Sequence, residues 1–177
     1  ILVTGGLGHI GSYIIENARL YTSNRCLAVC GFCSSVGFLP NANGDNKWRF
    51  GMLTAEQILE LIIFKVNQYG AKAFTINDDD FLVGNTLGIR RAIDLCKLII
   101  EAKEKGDLPK DIKFSCQTRV GNFLMPQSEK NGAGVLINHE LMQLMHDCGF
   151  HNVSVGVETF SERLMQVPSI KKIGVSR

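Results

Sequence analysis

The chain has 177 residues, a formal net charge of +2, and 45% hydrophobic against 20% charged residues. That length supports one good core, and so small a net charge argues neither for nucleic acid nor for a membrane surface. No apolar run approaches the roughly 20 residues of a membrane span. The start, Ile1-Leu2-Val3-Thr4-Gly5-Gly6, has no basic region ahead of an apolar stretch and is not a secretory signal. With no initiator Met, and with its last residues running into a helix start, the chain reads as a fragment open at both ends.

In chain order, residues 2–4 read as a strand, Gly5 to Gly11 as a glycine turn, and the helix that follows as running to about Arg19. Leu20 to Ser23 leave room for a short strand, and 34–53, rich in Gly, Asn, Pro and Ser, read as loop. Thr54 with Gln57 is a capping-box signature, and Ile58, Leu59, Ile62, Ile63 and Val66 form an apolar helical stripe that Gly70 ends. Lys72 to Ile76 is a strand closing on Asn77-Asp78-Asp79-Asp80. A second helix carries Ile89, Ala92, Ile93, Cys96, Ile99 and Ile100 on one face, and Ile112 to Cys116 is a strand closing on Gln117-Thr118-Arg119. After a polar loop, Asn138 caps a helix with Leu141, Leu144, Met145 and Cys148 on one face, which Gly149 stops. Val153 to Val157 is the next strand, closing on Glu158, and Ser161 caps a last helix.

Strand ends near 77, 117 and 157 mark a βα repeat of about forty residues, and alternating strands and helices imply a parallel sheet or barrel. The polar residues gather where the strands finish, the rim at which parallel βα folds place their chemistry.

Six cysteines in a short chain raise the question of disulfides. Three fall within eight residues, while Cys96, Cys116 and Cys148 stand singly in apolar, periodic segments and read as small core residues. A reducing, cytoplasmic setting with a metal or redox cluster fits this placement better than a disulfide framework. Cys26-Leu27-Ala28-Val29-Cys30-Gly31-Phe32-Cys33 is a C-x₃-C-x₂-C pattern. Three thiolates from one loop can hold three corners of a 4Fe–4S cube, leaving one iron open to an exogenous ligand, whereas such clusters otherwise usually take four cysteines. A structural zinc site needs four ligands, commonly as two C-x₂-C pairs, and only Cys30 and Cys33 form one, so a zinc-binding interaction module stays as a weaker reading.

With Phe32 just before the third cysteine, this spacing resembles the signature of the radical S-adenosylmethionine (SAM) superfamily. The resemblance runs from about residue 20 to 177. Phe74-Thr75-Ile76-Asn77-Asp78-Asp79-Asp80-Phe81 resembles the acidic segment that closes the second strand in the branch related to cobalamin-dependent members. Gln117-Thr118-Arg119 resembles the arginine-bearing end of the third strand, and Gly156-Val157-Glu158-Thr159-Phe160-Ser161 resembles the end of the fourth. Arg25 and Leu27 depart from the Gly and Pro common around the first cysteine.

The resemblance implies an α/β fold, an incomplete (βα) barrel of parallel strands binding a 4Fe–4S cluster and SAM. It implies reductive cleavage of SAM to a 5′-deoxyadenosyl radical that abstracts hydrogen from a substrate, and an electron donor such as a flavodoxin or ferredoxin. Cys26, Cys30 and Cys33 would be the cluster ligands, and Phe32 would lie near the adenine. Asp78 and Asp79 would face the SAM amino group and Arg119 its carboxylate. Glu158, with Ser161, would bind the ribose. His146 and Gly149 have the spacing of a cobalamin motif, but Leu144 stands at its Asp position, so cobalamin would enter only through a domain outside this chain.

Residues 1–19 resemble instead the opening of a short-chain dehydrogenase or sugar-nucleotide epimerase, a short Rossmann-like βα segment read as a remnant or fused piece. An NAD(P)-dependent oxidoreductase is therefore a second reading. Its acidic ribose reader and its Tyr-x-x-x-Lys pair are both missing: Tyr13, Tyr21 and Tyr69 are followed at the fourth position by Asn17, Arg25 and Ala73.

Overall fold

A computed structural model of the chain describes residues 17–28, 30, 33, 50–84, 86–126, 135–157 and 159–165. The glycine motif and the strand expected at 2–4 lie outside them. The helix expected up to Arg19 is corrected at its end. Asn17–Leu20 form strand β1, parallel to β2, Ala73–Ile76. The reason is a two-residue period: Asn17 and Arg19 are exposed while Leu20 is buried, which suits a strand and not a helix.

Helix α1, Ala55–Tyr69, begins at the expected capping box. Gln57 N–H donates to the Thr54 hydroxyl, and the Gln57 side chain accepts from the Thr54 N–H. Gly70, at φ +65°, closes it. Helix α2 spans Thr86–Lys105 and strand β3 Lys113–Thr118. The stretch expected as loop after Arg119 holds a 3-10 turn, Val120–Phe123, and an antiparallel hairpin of β4, Leu124–Pro126, with β5, Val135–Ile137. Asn138 caps α3, His139–Cys148, its side chain accepting from Leu141 N–H. Strand β6, Phe150–Val155, begins three residues earlier than expected, because Gly149 at φ +114° turns the chain directly into it. Ser161 caps a short α4, Glu162–Met165.

The four long-range strands form one parallel sheet in the order β1-β2-β3-β6. This bears out a parallel α/β architecture. Among the described residues β1 and β6 each have one neighbour, so the sheet is open and not a closed barrel. Alternation along the strands divides its faces. Phe74, Ile76, Phe114, Cys116 and Phe150 point to the buried side with Ile58 and Ile62 of α1, Leu95 and Ile99 of α2, and Leu141 and Met145 of α3. Phe74 stacks on Phe114, and Phe114 meets Phe150 in a tilted contact, with centroids 5.7 and 5.4 Å apart. The opposite face carries Thr75, Asn77, Ser115, Gln117, Asn152 and Ser154. A register shift adds His151 to β6 between the pairs Phe114/Phe150 and Ser115/Asn152. That one extra residue turns Asn152 and Ser154, rather than His151 and Val153, toward the polar face.

The apolar face of α2 differs in part from the expected one. Gly88, Arg91, Ala92, Leu95, Cys96, Ile99 and Ala102 are buried, while Ile89, Ile93 and Ile100 are only half-buried. Gly88 is there for close approach: a Cβ would overlap the Leu82 carbonyl oxygen and stand 2.8 Å from Val83 Cβ. Helix propensity alone would favour Gly88→Ala by about 1 kcal/mol. Packing against backbone outweighs it, and the variant is expected to lower stability by about 1–3 kcal/mol, read from the urea midpoint.

The three single cysteines are core residues as expected: Cys96, Cys116 and Cys148 are buried. Burial pushes the Cys116 thiol up to about 12. The hydrogen bond with Cys148, then burial, pushes Cys96 up as well. No helix among the described residues is long and apolar enough to cross a membrane.

Candidate functional site

The alternation of β2 continues past its last hydrogen-bonded residue and sorts the four polar residues that follow. Phe74, Ile76, Asp78 and Asp80 are buried, whereas Asp79 is exposed. Asp79 therefore joins Thr75, Asn77, Ser115, Gln117 and Ser154 around a cavity of about 480 Å³ on the open face of the sheet. Asp78 is expected to face a ligand beside Asp79. Asp78 borders the cavity, but its side chain has no exposed surface. Its oxygens accept from Thr22 N–H at 2.6 Å, from the Thr22 hydroxyl, and from the Ser23 hydroxyl at 2.9 Å.

Asp80 builds a second buried cluster. Its Oδ1 accepts from the Thr118 hydroxyl and from Asn122 Nδ2, each at 2.7 Å, and its Oδ2 accepts from Arg119 Nε at 2.9 Å. Asp80 is fully buried, and Thr118 and Asn122 are nearly so. The pairing holds Arg119 at the end of β3 with its side chain 17% exposed, so the cation stays within reach of solvent while being fixed at its base. Gly84, at φ +69°, lies against the guanidinium, and a Cβ there would overlap Arg119 Nη2. Val83 next to it has φ +61°, a strained value for a β-branched residue. The turn after β2 is thus shaped tightly around Arg119.

The cysteine loop leaves the end of β1. Cys26 and Cys30 are half-buried, Cys33 is exposed, and all three are free thiols. Ala28 N–H donates to Cys26 Sγ at 3.3 Å, and Cys33 N–H donates to the Cys30 carbonyl at 3.1 Å. Burial raises the Cys26 thiol above its ordinary value. The Ala28 hydrogen bond and Arg119 act against that, while Asp80 and Cys30 add to it. Among the described residues no three His, Cys, Asp or Glu side chains converge closely enough to grip a single ion. The donor set is soft thiol sulfur, which suits an iron–sulfur cluster or zinc.

Of the remaining expected residues, Phe32 and Glu158 lie outside the described ones. Ser161 N–H donates to the Thr159 hydroxyl and its own hydroxyl caps α4. Thr22, Arg91 and Asn122 lie outside the motifs, and Asp80 and Thr118 lie within them without an expected role. A usable signal existed for two of them: the two-residue period of β2 points Asp80 inward, and Arg91 falls within the Gly88, Ala92, Leu95 stripe.

No family model matches the chain. Over 145 residues it is 28% identical to the uncharacterized methyltransferase PH0819 of Pyrococcus horikoshii, covering 82% of this chain and 25% of that protein. Its fold resembles the radical SAM methyltransferase TsrM of Kitasatospora setae in two structures. One, with tryptophan substrate and the SAM analogue aza-SAM bound, has a TM-score of 0.60 at 18% identity, over 88% of this chain and 24% of that one. The other holds cobalamin and a [4Fe–4S] cluster, with a TM-score of 0.59 at 17% identity, over 86% and 24%. The cobalamin-dependent SAM radical enzyme OxsB, with aqua-cobalamin and SAM bound, gives 0.61 at 20% identity, over 92% and 21%. The fold is thus of the kind found in these enzymes, and the chain spans about a quarter of their length.

Proposed function

We propose that this chain is the cluster- and SAM-binding segment of a radical SAM enzyme, with Cys26, Cys30 and Cys33 as ligands of a 4Fe–4S cluster. The observation that carries this reading is the position of the free-thiol loop. It leaves the end of β1, the strand beside β2, and the chain beyond β2 and β3 carries the paired Asp80 and Arg119. When bound, such a cluster would supply one electron to the SAM sulfonium, releasing methionine and the 5′-deoxyadenosyl radical.

The chain's own residues would bind and orient. Arg119, anchored by Asp80, would pair with the SAM carboxylate, and Asp79 would receive the ammonium from the open face. Phe32 beside the adenine, and Glu158 with Ser161 on the ribose, complete the reading by resemblance. The names of the Pyrococcus relative and of TsrM favour methyl transfer for the whole protein. Cobalamin would then be held by a domain outside these 177 residues.

Anaerobic reconstitution with iron and sulfide separates the readings. The expected product is brown, carries about four irons per chain, and binds SAM more tightly than the iron-free chain does. A colourless chain that retains zinc would contradict the proposal in favour of a zinc module. NAD(P)H binding without iron would favour the oxidoreductase.

A further inference from the structure

The segment from Asn24 to Gly51, which carries the three thiols, leaves and re-enters the fold at one point. Leu53 N–H donates to the Thr22 carbonyl at 2.8 Å and Asn24 N–H to the Gly51 carbonyl at 3.1 Å. Gly51 N–H returns to Asn24 Oδ1 at 3.0 Å, and Ser23 bridges Met52 in antiparallel fashion. One buried guanidinium reaches across this base. Arg91 Nη1 donates to the carbonyls of Thr22 at 3.1 Å and Leu53 at 3.4 Å, the residues on either side of the segment. Its Nη2 donates to the Phe81 carbonyl at 2.7 Å, in the turn after β2. Asp78 holds Thr22 and Ser23 from β2, with an oxygen 3.9 Å from Arg91 Nη2.

We propose that Arg91 and Asp78 are positioning residues for the cysteine ligands, fixing both ends of the segment that carries Cys26, Cys30 and Cys33. The proposal rests on reading those cysteines as cluster ligands. Cys26 is four residues beyond Thr22, a tether of at most about 14 Å of extended chain, so the placement of Thr22 bounds where the first thiol can go. A buried ion pair is weak evidence for stability, since an apolar residue on the α2 stripe would serve the core as well. Burying Arg91 there instead selects one geometry. Only a planar fork with several donors reaches three carbonyls on three segments; a lysine ammonium, a point charge, does not replace it.

The test compares Arg91→Lys with Leu95→Ala, a core truncation one turn further along α2. In the iron-free 177-residue chain, amide hydrogen exchange at Asn24 and Leu53 is expected to quicken by about tenfold or more in Arg91→Lys, while the β3 amides keep their wild-type rates. Leu95→Ala should instead move both sets together. After reconstitution, Arg91→Lys should retain fewer than about half the wild-type irons, measured by iron analysis, with a broadened signal for the reduced cluster. If Arg91→Lys does not fold, Thr22→Val removes one hydroxyl of the same base and should shift the same amides by a smaller factor. Loop amides as slow as in wild type, in a chain that binds iron normally, would overturn the clamp alone. Wild-type chain that takes up no iron would overturn the cluster reading on which the clamp depends, whatever the exchange rates.

Discussion

Replacing Asp80 with Ala is expected to lower the stability of the chain by about 3–5 kcal/mol, a large part of what a domain of this size commands. The loss has three sources at one site. Arg119 keeps its charge with no carboxylate at its base, and the Thr118 hydroxyl and Asn122 amide are left in the core without their acceptor. Asp80→Asn should cost less, since it keeps one acceptor oxygen for the buried donors. Urea unfolding of the iron-free chain checks both, independently of any cofactor. Equal midpoints for wild type and Asp80→Ala would show that the buried network does not form. In the reconstituted protein, Asp80→Asn should also weaken SAM binding, because it frees Arg119 from its fixed direction.

The second large effect falls on the thiols. Cys30→Ala is expected to remove nearly all of the roughly four irons that wild type acquires, since two thiolates cannot hold three corners of the cube. Cys148→Ala is the matched control. Cys148 is buried at the end of α3 beside Cys96 of α2, and truncating it should cost about 1 kcal/mol of packing while leaving the iron content unchanged. Iron and sulfide analysis of the two variants, prepared side by side, decides between ligand and core roles for cysteines of one chain.

Much of this organisation is legible in the residues. The capping box at Thr54 and Gln57, the Asn138 cap and the αL glycines Gly70 and Gly149 announce helix ends through local chemistry, and the structure has them there. Strand ends are less legible where pairing decides. Asn17–Leu20 becomes a strand through β2, a partner more than fifty residues away, and the β6 register depends on one inserted residue, His151. The pairing of β4 with β5 follows from no alternation in so short a pair of segments.

At the candidate site the fold separates carboxylates that the motif treats alike. Asp78, Asp79 and Asp80 look alike in a string of letters, but the pleat sends the first and third into the core and leaves the second on the cavity. Extending the period from Phe74 and Ile76 would have separated them. Arg91 could have been suspected as a charge inside an apolar stripe. Its three carbonyl partners could not, because Thr22, Leu53 and Phe81 meet only in the folded sheet.

A three-thiolate cluster with one iron open to SAM is read by electron paramagnetic resonance of the reduced, reconstituted chain with and without SAM. The expected result is a 4Fe–4S signal that changes on adding SAM and is lost in Cys30→Ala. A cluster signal indifferent to SAM, or one that survives in Cys30→Ala, would contradict it.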